Sequence, residues 1–220
     1  MIRHPSLLRA LGIRPKSVIH IGAHHAQDHG GYLKLGAERV IWCEADPRNI
    51  QWIKDNRGDL DLIEGLFWSE DSTSIEFFQH EEAQQSSANK PQNHINIPKI
   101  NLITKSIDKT FLAMELPRPV MLVLDVQGSE LEVINGGKEF LKQTEFLVVE
   151  LTRSNDRYIE MPNPLEISGP IEAMGFKPSL VKESFDSSYE DKLFIKCGNI
   201  KKNMIFAGDK GLSFLDRKST

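Results

Sequence analysis

The chain has 220 residues, 40% of them hydrophobic, with 27 basic against 31 acidic side chains and a net charge of −4. That apolar content suffices for one packed domain without disulfide or metal staples. The acidic balance argues against a general nucleic-acid-binding surface, and no apolar run approaches the length of a membrane span. The two cysteines, Cys43 and Cys197, both fall in apolar runs and are expected as buried, reduced thiols of a cytoplasmic protein.

The first 16 residues are interrupted by Arg9 and lack a small-residue cleavage site. They read as a helical extension, with a helix over 6–11, rather than as a signal peptide. A strand is expected over 17–21, then a helix from Asp28 to Leu35 closed by Gly36, a residue suited to a left-handed cap. A second strand, 40–43, runs into Glu44, and Pro47 opens a helix that continues to about Asn56. Residues 61–67 read as a third strand and 74–78 as a further extended piece. The stretch from 80 to 100 is polar and aperiodic, a candidate substrate lid. An extended piece at 101–104 and a short helix over 107–114 follow. The apolar run 120–124 suits a central strand buried on both faces and ends in Asp125.

Beyond that strand, a helix is expected from Ser129, with Ser129 and Glu132 forming a capping box and Glu130 exposed in the first turn. After Gly136-Gly137 a second helical piece reaches Leu141. A buried strand, 146–151, carries Glu150, and a helix follows over 165–174. Strands at 176–181 and 192–197 lack a helix between them, so they are expected to pair antiparallel. Residues 198–220 form a tail with a short helix near 212–215. The alternation of strand and helix predicts an α/β, doubly wound, mostly parallel sheet over 17–197.

Chemistry concentrates at the strand ends, where open α/β sheets bind their ligands. Gly22 frees the backbone for a tight turn and close ligand approach. The loop reads Gly22-Ala23-His24-His25-Ala26-Gln27, so the second glycine of a dinucleotide fingerprint is His24. That departure disfavours NAD and suits a cofactor without phosphates, such as S-adenosylmethionine. Glu44 can accept from both ribose hydroxyls of an adenosine, with Ala45 beside it. Trp68 and Ser69 are candidates to flank the adenine. Asp125 and Glu150, on neighbouring strands, could position or deprotonate a substrate hydroxyl, and Gln127 lies at the same edge. His20, His24, His25 and His29 cluster near the first loop. Adjacent histidines seldom converge on one ion, so no metal site is expected, and His25 is retained as a candidate base or substrate contact.

The order of VIHIGAHHAQ, WCEADP, Ser86-Ser87, SID at 106–108, LVLDVQGSELEVINGG and FLVVEL resembles the FkbM-type S-adenosylmethionine-dependent methyltransferases over roughly residues 17–197. The resemblance implies a seven-stranded class I methyltransferase sheet with an antiparallel C-terminal strand. It also implies O-methylation of a hydroxyl on a sugar, glycan or secondary metabolite. By position it places Gly22, Ala23, His24 and Gln27 against the cofactor, Glu44 on its ribose, and Asp125 and Gln127 between cofactor and acceptor. The alternatives kept are an NAD-linked oxidoreductase and a non-catalytic binding domain on the same fold. A small-molecule or glycan acceptor is the expected partner, and a homodimer is left open.

Overall fold

The computed structural model describes residues 5–10, 12–92, 96–152, 158–159, 161–182 and 189–199. Strands β1 (Ser17–Ile21), β2 (Arg39–Glu44) and β3 (Asp61–Glu64) are joined by helices α2 (His29–Leu35) and α3 (Pro47–Asn56), with α1 (Pro5–Ala10) ahead of them. Then come β4 (Leu66–Phe67), β5 (Ser74–Phe78), β6 (Lys99–Lys105) and α4 (Ile107–Phe111). Next are β7 (Val120–Leu124), α5 (Glu130–Asn135), α6 (Lys138–Lys142) and β8 (Phe146–Thr152). Helix α7 (Pro164–Ala173) leads to β9 (Phe176–Lys182) and β10 (Tyr189–Lys196).

The main sheet has seven strands in the order β3-β2-β1-β7-β8-β10-β9. Strands β1, β2, β3, β7 and β8 run parallel, while β10 lies antiparallel between β8 and β9. The predicted doubly wound sheet with its antiparallel closing pair is therefore present. Successive residues of each strand face opposite sides of the sheet. Ile19, Ile41, Leu122 and Leu147 join one buried cluster with Phe111, Val133 and Ile171; Val18, Val40, Met121 and Val148 join another with Leu8, Tyr32 and Ile53. Helices thus cover both faces, which explains why β1 and β7 are apolar without alternation.

Two boundaries depart from expectation for a local reason. The single strand expected over 61–67 is broken at Gly65, whose φ is +146°, a conformation side-chain-bearing residues rarely adopt. Its second half, β4, leaves the main sheet and pairs with β6, which also pairs antiparallel with β5 in a small three-stranded sheet. Cys197 is exposed at the end of β10, whereas Cys43 is buried as expected. The helix expected near 212–215 and most of the connection between the last two strands lie outside the described residues. Among the described residues, no helix is long and apolar enough to cross a membrane.

Candidate active site

A cleft of about 250 Å³ opens at the C-terminal ends of β1, β2, β7 and β8. The loops that follow β1 and β7 diverge here, because the helix after β1 returns to β2 on one side while β7 lies on the other. This is the topological switch point of the sheet.

Gly22 sits at its floor with φ +91°. A Cβ there would lie 1.8 Å from the carbonyl oxygen of Asp125. Glycine is therefore demanded by the close approach of the β7 main chain, in addition to the turn. Gly22 and Ala23 both donate N–H bonds to the Cys43 carbonyl, at 2.9 and 3.0 Å, which ties this loop to the end of β2.

Glu44 is buried at the end of β2, and its carboxylate collects three main-chain donors. Oε1 accepts from the N–H groups of Ala45 and Asp46, each at 2.8 Å, and Oε2 accepts from His24 N–H at 2.6 Å. Oε2 keeps room for one further donor from the cleft. Burial pushes the carboxyl up to about pH 7 despite these donors. Asp46 caps α3 by accepting from Arg48 N–H, an assignment the Asp-Pro pair could have given.

Across the cleft, Gln127 adopts φ +53°. Its Nε2 donates to Asp125 Oδ1 at 2.8 Å and to Glu150 Oε2 at 2.9 Å, so the two strand-end acids are brought together by one amide. Burial, and then the Asp125 charge, raise Glu150 well above the usual carboxylate range. Asp191, opposite Glu150 in the β8–β10 register, also lines the cleft. No sequence pattern marked it, because its position depends on that register.

The expected capping box is absent: Ser129 makes no side-chain cap bond. Its hydroxyl instead accepts from Asn89 Nδ2 at 3.2 Å. Glu130 is not exposed either. It is fully buried and turns back so that Oε1 accepts from the N–H groups of Val126 and Gly128, each at 3.2 Å. These bonds brace the turn that presents Gln127. Burial pushes this carboxyl up to about 7 as well.

The polar segment expected as a lid borders the cleft through Ala83, Gln84, Gln85, Ser86 and Ala88. It is tied at both sides. Arg48 Nη2 donates to His80 O at 2.8 Å and to Ser86 Oγ at 3.0 Å, while Ser87 Oγ donates to Gln127 O at 2.8 Å. Tyr158 OH adds a bond to Gln85 O at 2.7 Å.

Of the residues singled out from sequence, Gly22, Ala23, His24, Gln27, Glu44, Ala45, Asp125, Gln127 and Glu150 line the cleft. Trp68, Ser69 and His25 do not. The Trp68 carbonyl and Ser69 Cα instead pack where a Cβ on Gly136 would sit, at 2.0 and 3.2 Å. Leu66 and Phe67 occupy the wall where an adenine flank was sought. His25 stacks between His24 and Trp52. His20 is buried beneath α2, its Nδ1 2.8 Å from Tyr32 Oη, and burial lowers it to about 4. Among the described residues, no group of three or more His, Cys, Asp or Glu side chains is placed to hold a metal ion.

Raised carboxyls carry a stability signature. Between the ordinary glutamate value of 4.5 and about 7, the folded chain binds more protons at Glu44 and Glu130 than the unfolded chain does. Stability therefore falls as pH rises through that window. Buried neutral His20 acts in the opposite sense, but only below the ordinary histidine value of 6.5. Urea titrations should give a larger unfolding free energy at about pH 6.5 than at about pH 8. Greater stability at the higher pH would mean that these carboxyls are not protonated in the fold.

The chain matches the Methyltransferase FkbM domain over residues 20–178. It is 28% identical over 151 residues to the 2-O-methyltransferase NoeI of Sinorhizobium fredii, an overlap of 60% of this chain and 62% of that protein. The crystal structure of Methyltransferase FkbM from Methylobacillus flagellatus superposes with a TM-score of 0.53 at 15% identity, covering 82% of this chain and 43% of that one. The chain thus spans less than two thirds of either relative. The domain match covers the first strand, the Glu44 strand end and the Asp125–Gln127–Glu150 bridge in one stretch. On that match, the chain belongs to the FkbM methyltransferase family and has the Rossmann-like class I methyltransferase fold.

Proposed function

We propose that this methyltransferase is S-adenosylmethionine-dependent and transfers the methyl group to a hydroxyl of a sugar, glycan or secondary metabolite. The observation that carries the reading is the lining of the cleft. Glu44, Asp125, Glu150 and Asp191 border it, and no lysine or arginine does so among the described residues. Such a lining suits a sulfonium cofactor and disfavours the pyrophosphate of a dinucleotide, which sets aside the oxidoreductase alternative. Glu44 Oε2, with its remaining acceptor capacity, fits a ribose hydroxyl. That NoeI is a 2-O-methyltransferase supports oxygen as the acceptor atom.

When bound, S-adenosylmethionine supplies a methyl group already activated by its sulfonium. The protein must then align the acceptor oxygen, exclude water and take a proton. Glu150 is the protonated member of the acidic pair, and Gln127 fixes both side chains through one oxygen each. Asp125 Oδ2 is left to accept the proton of the acceptor hydroxyl. The strap at residues 83–88 covers the reacting atoms, and its amides Gln84 and Gln85 face the same cleft.

Calorimetry with S-adenosylmethionine, S-adenosylhomocysteine and NAD, followed by a labelled-methyl screen of sugars and glycans, tests this reading. Preferential binding of NAD, or transfer only to nitrogen or carbon, would overturn it. Glu44→Ala should weaken cofactor binding by about 1–3 kcal/mol, since a buried hydrogen bond to the ribose is lost. Unchanged affinity in that variant would remove Glu44 from the ribose site.

A further inference from the structure

The loop after β1 contains a stack of three rings that the folding of the sheet does not require. His24 and His25 are 3.9 Å apart between ring centroids and 15° from parallel; His25 and Trp52 are 3.9 Å apart and 16° from parallel. Trp52 belongs to α3, which Asp46 caps beside Glu44. The inner ring, His24, lines the cleft, and its main-chain N–H is held on Glu44 Oε2. Its Nδ1 is buried and has no hydrogen-bond partner. Buried polar atoms in folded proteins are nearly always paired, so an unpaired nitrogen on a ring fixed at a cleft wall points to a ligand group.

The charge around the ring selects that group. Asp125 and Asp46 both act on His24 electrostatically, and the cleft wall carries no lysine or arginine among the described residues. An anion would meet repulsion there, whereas a cation would meet attraction. Burial keeps the imidazole neutral, so it offers a bare nitrogen lone pair.

We infer that His24 Nδ1 accepts a hydrogen bond from the ammonium of the cofactor's amino-acid end, and that the stack on His25 and Trp52 holds the ring in place for it. The inference rests on the S-adenosylmethionine reading above. It turns the missing second glycine of the loop into a specificity residue.

Two neutral thioethers separate this role from a structural one. S-adenosylhomocysteine carries the amino-acid end, and methylthioadenosine has a methyl group in its place. His24→Gly removes the ring, and glycine accepts the φ of +46° found at this position. By calorimetry this variant should bind S-adenosylhomocysteine roughly 10- to 100-fold more weakly, with methylthioadenosine affinity unchanged. His24→Asn, which tolerates the same φ and offers an amide oxygen, should recover part of the loss. Trp52→Leu should show the same selectivity with a smaller loss, because the ring remains but is no longer clamped.

Equal weakening of both ligands in His24→Gly would assign the residue a structural role through Glu44 and overturn the inference, as would no change in either. Thermal unfolding of each variant separates loss of fold from loss of contact. If the wild-type chain bound neither thioether, the cofactor reading itself would fall. Binding by the wild type without selectivity in the variant would remove this inference alone.

Discussion

Asp125→Asn is expected to lower the rate of methyl transfer by roughly 10²- to 10⁴-fold, the range in which general-base catalysis usually falls. Glu150→Gln, by contrast, should cost less than about tenfold. The asymmetry follows from where the proton rests. Glu150 is buried and lies beside Asp125, both of which hold it in its neutral form, so a neutral glutamine changes its charge little. Asp125 is the member asked to take a proton, and the amide of asparagine cannot do so. Single-turnover measurements with labelled S-adenosylmethionine and the acceptor found by screening would check both. A large loss in Glu150→Gln with a small one in Asp125→Asn would exchange the two roles. Equal small losses would mean that the acceptor needs no base.

Gly22→Ala is expected to destabilise the fold by about 3 kcal/mol or more, from a left-handed backbone angle and an overlap that side-chain motion cannot relieve. The added Cβ would meet the Asp125 carbonyl oxygen at 1.8 Å with φ at +91°. Gly136 offers an internal comparison. Its added Cβ would lie 2.0 Å from the Trp68 carbonyl oxygen, but its φ is −79°, which any residue adopts. Gly136→Ala should therefore carry the overlap alone and cost less than Gly22→Ala. Urea titrations of the two variants give the ranking. A mild effect in Gly22→Ala would show that the loops after β1 and β7 can separate cheaply.

Much of the fold was legible because the sheet buries both faces. Unbroken apolar runs such as Val120–Leu124 mark its central strands, and punctuation such as Pro47 and Gly36 marks helix ends. The strand-end acids Glu44, Asp125 and Glu150 could be found because a carboxylate closing an apolar strand is conspicuous. What stayed hidden depends on direction and register. Glu130 has the sequence context of an exposed first-turn acid, yet its side chain folds back onto Val126 and Gly128. Asp191 reaches the cleft through antiparallel pairing with β8, which no local pattern encodes. Trp68 was sought at the adenine because it follows the third strand. The break at Gly65 sends that segment into the small sheet with β6 instead.

The segment bordering the cleft is tied by Arg48 on one side and by Gln127 on the other. Those two residues belong to opposite halves of the sheet, following β2 and β7 respectively. A span anchored on both banks cannot swing aside as a hinged flap does; one anchorage must come undone first. Exchange of the cofactor then becomes a two-step process, in which the observed association rate levels off at high ligand concentration. The plateau is the rate at which the strap lets go.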